Sequence, residues 1–169
     1  MSTGHSAHGP GAARVAVIGA GRMGEGMAVS FAYGGVPITV VDVKDRTADE
    51  RAAYFTQVQA HLQAELQLLQ RLGLLDAAQA ATVRDRITLV GRDDAAAALQ
   101  HCPVVFEAVP EVLAVKQAQL QWLGQVVAAD TVIASTTSTF LVTELAQMVP
   151  GPERFINAHW LNPAHLMPL

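Results

Sequence analysis

Ten residues near the amino end, 15–24 (VAVIGAGRMG), constrain the fold more than any other stretch of the chain. An unbroken run of small apolar residues reads as a strand buried on both faces. Gly19, Gly21 and Gly24 follow at the spacing G-x-G-x-x-G and lead straight into a helical pattern. Gly19 permits the tight turn out of the strand, and Gly21 lets a pyrophosphate approach without meeting a Cβ. Gly24 lets the helix pack close on the sheet. Unpaired N–H groups at the helix start, with the positive end of its dipole, make a seat for phosphate. A strand before and a helix after are the context in which this spacing marks a dinucleotide site. Gly19, Ala20, Gly21, Arg22, Met23 and Gly24 are therefore the candidate pyrophosphate contacts.

The rest of the chain keeps alternating strand and helix. Met23, Met27 and Phe31 recur every fourth residue on a helix that Gly34-Gly35 stops. PITVVD (37–42) is a second buried strand, and Asp42 ends it at the place where a carboxylate accepts from an adenosine ribose. A strand-end or helix-capping aspartate is the competing account. Residues 45–73 form a long helix with Tyr54, Val58, Leu62, Leu66 and Leu69 on one face and His61 off it, solvated; a short helix follows at 77–83. Further strands are expected at 86–90, 103–109, 131–135 and 154–159, with helices at 93–99 (capped by Asp93 or Asp94), 111–128 and 143–149. The pattern specifies an α/β fold, a doubly wound parallel sheet of six or seven strands (a Rossmann fold) with a long helical arm after its second strand. Ligands of such a sheet bind beyond the carboxyl ends of its strands. Asp42, Glu107 to Glu111, Ser135 to Ser138 and His159 all fall there.

Composition narrows the partners. The chain as a whole is 51% hydrophobic and 15% charged, which suits one folded domain over residues 14–169, whereas residues 1–13, with His5 and His8, read as a disordered tail. A net charge of −4 argues against nucleic acid, and no apolar run reaches membrane-spanning length. Cys102 is the single cysteine, so no internal disulfide exists, which fits a cytoplasmic protein. Beside His101 it gives no metal-ligand spacing, and no metal is expected.

Three stretches are more specific: FEAVPEVLAVK (106–116), STTSTFLVTELA (135–146) and RFINAHWLNPAHLMPL (154–169). Together, in this order, they resemble the NAD-binding domain of the 3-hydroxyacyl-CoA dehydrogenase family. The resemblance implies NAD as cofactor, with Asp42 on the adenosine ribose and Glu111 and Lys116 toward the nicotinamide. It implies that Ser138 bonds cofactor and substrate oxygen, that His159 takes the hydroxyl proton, and that Asn162 orders the site. The bland alternatives are a solvated helix lysine, a turn serine satisfying its own backbone, and a surface histidine. An aspartate at position 42 should also repel a 2′-phosphate, favouring NAD over NADP, with Arg46 nearby.

Departures from the family pattern bear on the substrate. Thr136 stands where the family has asparagine, and residues 45–83 contain neither the lysine nor the serine that the family directs at CoA. The family's glutamate, twelve residues past its histidine, would fall beyond Leu169. So would its helical domain, which closes the cleft and makes a homodimer. The chain is thus expected to be a truncated enzyme that binds NAD weakly, turns over little and exposes apolar surface around Trp160, Leu161, Leu166 and Met167. The leading expectation is oxidation of a 3-hydroxyacyl-CoA. The others are a smaller 3-hydroxy acid of carnitine or gulonate type, and a nucleotide-binding fragment without turnover.

Overall fold

The computed structural model of the chain describes residues 14–161. The expected tail at 1–13, together with Asn162, Leu166 and Met167, lies outside the described residues.

Six strands form one parallel sheet in the order β3-β2-β1-β4-β5-β6. They are β1 (Val15–Ile18), β2 (Ile38–Asp42), β3 (Ile87–Gly91), β4 (Val104–Glu107), β5 (Val132–Ser135) and β6 (Phe155–Asn157). The order reverses between β1 and β4, the switch point of a doubly wound sheet, where a crevice opens at the strands' carboxyl ends. Alternation along each strand feeds two cores. Val15 and Val17 of β1 face one, with Met27, Ala28 and Phe106; Ala16 and Ile18 face the other, with Leu99, Leu120 and Leu145.

The helices are α1 (Arg22–Tyr33), α2 (Ala48–Arg71), α3 (Ala77–Asp85), α4 (Ala95–Leu99), α5 (Leu113–Val126) and α6 (Val142–Ala146). The long arm α2 starts at a capping box, in which the Thr47 hydroxyl accepts from Glu50 N–H and the Glu50 carboxylate accepts from Thr47 N–H. That box sets the start three residues later than periodicity suggests. Val58, Leu62, Leu66 and Leu69 are buried as expected.

Four local expectations change. Asp94 takes the N-cap position of α4 but its side chain makes no capping bond; both aspartates lie in a 3₁₀ turn, and Asp93 accepts from Arg51 at 3.0 Å across to α2. Val112, expected inside a helix over 111–128, lies just before α5 and is 53% exposed, and the helix buries Lys116, Leu120 and Leu123. His61 is not merely solvated: Nδ1 lies 3.2 Å from Glu25 of α1, whose carboxyl burial pushes up while His61 pulls it down. Trp160, expected to be exposed, is buried against Phe31 and Phe106 at ring-centre distances of 5.7 and 6.3 Å. Among the described residues no helix is long and apolar enough to cross a membrane, and no cluster of metal-ligating side chains occurs.

Candidate active site at the carboxyl edge of the sheet

Every candidate site residue that the structure describes ends or follows a strand at its carboxyl side or lies in the first turn of the next helix. Beyond β1, Gly19 has φ +111°, and an added Cβ would lie 2.6 Å from the Ala108 carbonyl oxygen beyond β4. A Cβ on Gly24 would overlap the Gly19 carbonyl oxygen, so α1 sits directly on the turn. Nothing lies within 4 Å of the space a Gly21 Cβ would occupy. That open cradle, with Gly21 capping α1 by its backbone and no side chain, leaves the helix N–H groups to an incoming anion.

Asp42 ends β2 and is 3% exposed. Its Oδ2 accepts from Arg46 Nε at 2.7 Å, and its Oδ1 more loosely from Lys44 N–H at 3.4 Å. The Arg46 guanidinium lies over the Tyr54 ring, 4.0 Å from its centre, and the Tyr54 hydroxyl donates to the Ala20 carbonyl at 2.7 Å. The base of α2 is thereby fastened to the phosphate turn.

Across β4, β5 and β6 a second network runs from full burial to the surface. Glu107 and Lys116 are both 0% exposed, with Lys116 Nζ 3.0 and 3.1 Å from the two carboxylate oxygens. Glu107 also accepts from Val109 N–H at 2.8 Å and from the Ser135 hydroxyl. The ammonium of Lys116 reaches a second carboxylate, Glu111, at 3.6 Å. Glu111 in turn accepts from Ser138 N–H and the Thr137 hydroxyl, both at 3.0 Å, and from the Thr139 hydroxyl at 3.1 Å. Burial alone would push its carboxyl up; those donors and Lys116 outweigh this and hold it below the usual carboxylate range. The turn so fixed puts Ser138 Oγ 2.8 Å from His159 Nε2, beyond β6. Both side chains are exposed.

A family profile described as 3-hydroxyacyl-CoA dehydrogenase, NAD binding domain, matches residues 14–169. The chain belongs to the 3-hydroxyacyl-CoA dehydrogenase family. Solved structures of similar fold include (S)-3-hydroxybutyryl-CoA dehydrogenase from Ralstonia eutropha, at 29% identity and TM-score 0.81, covering 93% of this chain and 52% of that one. The 3-hydroxybutyryl-CoA dehydrogenase from Escherichia coli is 30% identical at TM-score 0.80, covering 93% and 31%. Another is the 5-dehydrogenase of 5-formyl-3-hydroxy-2-methylpyridine 4-carboxylic acid, described as an NAD⁺-dependent dismutase. It is 30% identical at TM-score 0.71, covering 92% and 46%. This dehydrogenase-family chain spans about half, or less, of the length of those proteins.

The cofactor of this dehydrogenase domain is NAD, and the residues fit it: an open backbone cradle at Gly21, a bare helix start, and a buried carboxylate at the end of β2. The expected lysine is not the solvated residue of its bland alternative; it is buried. The parts absent from the sequence reading are the Glu107 carboxylate as partner of Lys116, the Thr137 and Thr139 hydroxyls on Glu111, and the Arg46–Tyr54–Ala20 fastening. A carboxylate closing an apolar strand, nine residues before a lysine, was the available signal for the first.

Proposed function

We propose that residues 14–169 are the cofactor-binding and proton-transferring domain of an NAD-dependent dehydrogenase acting on a 3-hydroxyacyl-CoA. The observation that carries this reading is the Ser138–His159 pair at 2.8 Å on the same sheet edge as the glycine cradle. When bound, NAD supplies the hydride acceptor for the carbinol carbon. Gly19 to Gly24 hold the pyrophosphate, Asp42 the adenosine ribose, and Glu111 and Lys116 order the nicotinamide side. A neutral His159 accepts the substrate hydroxyl proton at Nε2 as the hydride departs, and Ser138 bonds the same oxygen. Asn162 belongs to this site as the partner that orders it. Catalysis in this reading also needs a helical domain that closes the cleft, in a cytoplasmic homodimer. Residues 1–169 alone should therefore bind NAD yet turn over below about 1 s⁻¹, since an open cleft leaves water to screen the reacting charges.

A smaller substrate without CoA is the second reading. It is favoured by the absence of lysine and serine from residues 45–83, and a pyridine carboxylic acid is the substrate of one similar protein. Turnover of 3-hydroxybutyryl-CoA against L-carnitine by the full-length protein, followed as NADH formation, decides between them. In that protein His159→Ala should lower kcat by about 10²–10⁴-fold with NAD affinity nearly intact. Ser138→Ala should cost roughly ten- to a hundred-fold. An unchanged kcat in His159→Ala would remove the histidine from the mechanism.

A further inference from the structure

We infer that Arg46 is a second determinant of cofactor choice and opens the adenosine end of the site to a 2′-phosphate, so that this chain takes NADP as well as NAD. The inference rests on Asp42 lying at the adenosine ribose. Asp42 alone would repel a 2′-phosphate, and that is the sequence expectation. In the fold, however, Asp42 is not alone: Arg46 Nε sits 2.7 Å from its Oδ2, one helical turn on in sequence. The two charges cancel at the carboxyl end of β2, so a dianionic group arriving there meets a neutral pair.

Arg46 is also held in place. Its guanidinium carbon lies over Tyr54, 4.0 Å from the ring centre, and the Tyr54 hydroxyl donates to the Ala20 carbonyl of the glycine turn. The cation is therefore fixed between the end of β2 and the turn that seats the pyrophosphate, and it reaches an incoming group with little ordering cost. Nε is the nitrogen that Asp42 uses, and the two terminal nitrogens have no hydrogen-bond partner among the described residues. The side chain keeps 19% of its surface open. A planar fork with two unused N–H groups is the chemistry that receives a phosphate. Another carboxylate at the start of α2, Glu50, is occupied by the Thr47 N–H and hydroxyl at 2.8 and 2.9 Å. On the same loop the exposed Lys44 and Asp45 offset each other, which leaves Arg46 as the cation paired with Asp42.

Calorimetric titration of the chain with NAD and with NADP tests this, at low salt and at about 0.5 M, where a contact carried by charge is screened. The wild-type chain should bind both, with affinities within about tenfold of each other. Arg46→Gln should weaken NADP by about ten- to a hundred-fold and NAD by less than about threefold; Arg46→Lys, which keeps the charge, should retain most of the NADP affinity. Asp42→Asn should weaken NAD and leave NADP as tight or tighter. High salt should erode NADP binding more than NAD binding. Thermal melting of each variant separates a lost contact from a lost fold. NADP affinity that Arg46→Gln leaves unmoved, or NAD binding with no NADP binding in the wild type, overturns the inference. Binding of neither nucleotide would overturn the dinucleotide reading beneath it as well.

Discussion

Lys116 and Glu107 are withdrawn from solvent completely, and each holds the other's charge. Such a pair contributes little net stability compared with apolar residues of the same volume, but removing one member strands the other's charge. Lys116→Met should therefore destabilise the chain by about 3–5 kcal/mol in urea denaturation. Adding Glu107→Leu should recover only part of that loss, because the Ser135 hydroxyl and Val109 N–H then lose their acceptor. A full recovery would mean those two bonds are worth nothing. Glu111 behaves differently, since it is partly open to solvent and titrates. Its carboxyl lies below its ordinary value of 4.5 in the folded chain, so it stabilises the fold fully above that value and loses the contribution as pH falls through the folded value. The stability gap between wild type and Glu111→Gln should accordingly be widest near neutrality and shrink as pH drops below about 4.5. Denaturation midpoints across acid pH measure it, and a gap that widens in acid would contradict the assignment.

At the scale of elements, α1 and α2 are placed by two different devices. The first helix is placed by what Gly24 lacks: a Cβ there would enter the Gly19 carbonyl, which is backbone and cannot rotate away. Gly24→Ala should push α1 off the turn, costing about 1–3 kcal/mol or more and weakening NAD binding in step, as calorimetry on the folded variant would register. The second helix is placed by a cap and a pair of ties. Thr47→Ala removes the acceptor for Glu50 N–H and should cost about 1 kcal/mol. Because Arg46 adjoins the cap and Tyr54 lies two turns on, the same change should loosen the adenosine end while leaving the Ser138–His159 end alone. Hydrogen exchange confined to the first turns of α2 and to the β2–α2 loop is the expected pattern.

Over the whole molecule, the segment after β6 is pinned by one backbone bond to β5 and by one buried side chain. β6 is only three residues long, and His159 lies beyond it. Ala158 N–H donates to the Ser135 carbonyl at 2.9 Å, and Trp160 then buries its ring with Phe31 of α1 and Phe106 of β4. His159 is thus held between a backbone bond on one side and an aromatic cluster on the other. Trp160→Ala should cost about 3–5 kcal/mol in stability. It should also release His159 from Ser138, seen by NMR as loss of the imidazole Nε2 hydrogen bond. A stability loss with that hydrogen bond intact would separate the anchor from the site. Leu161, next in the chain, is 48% exposed, so the apolar surface expected here begins one residue later than the sequence suggests.

The dinucleotide turn, the parallel sheet and the position of Asp42 were legible in the sequence because each depends on local chemistry. Glycines at fixed spacing, β-branched runs and a carboxylate closing a strand mean the same thing wherever the chain places them. Motif order likewise carried Ser138 and His159 to one edge, since all strands of a parallel sheet end on the same side. What these residues touch was decided only by tertiary packing. Lys116 is indistinguishable from a solvated helix lysine until β4 sets Glu107 beneath it and the following turn sets Glu111 beside it. Trp160 looks exposed near a chain end until Phe31 and Phe106, distant in sequence, make a pocket for it. Arg46, four residues from Asp42, is its ion-pair partner in the fold and also lies over the Tyr54 ring of α2. In each case the deciding term is the removal of a charge or ring from water, and that depends on neighbours that the sequence does not list side by side.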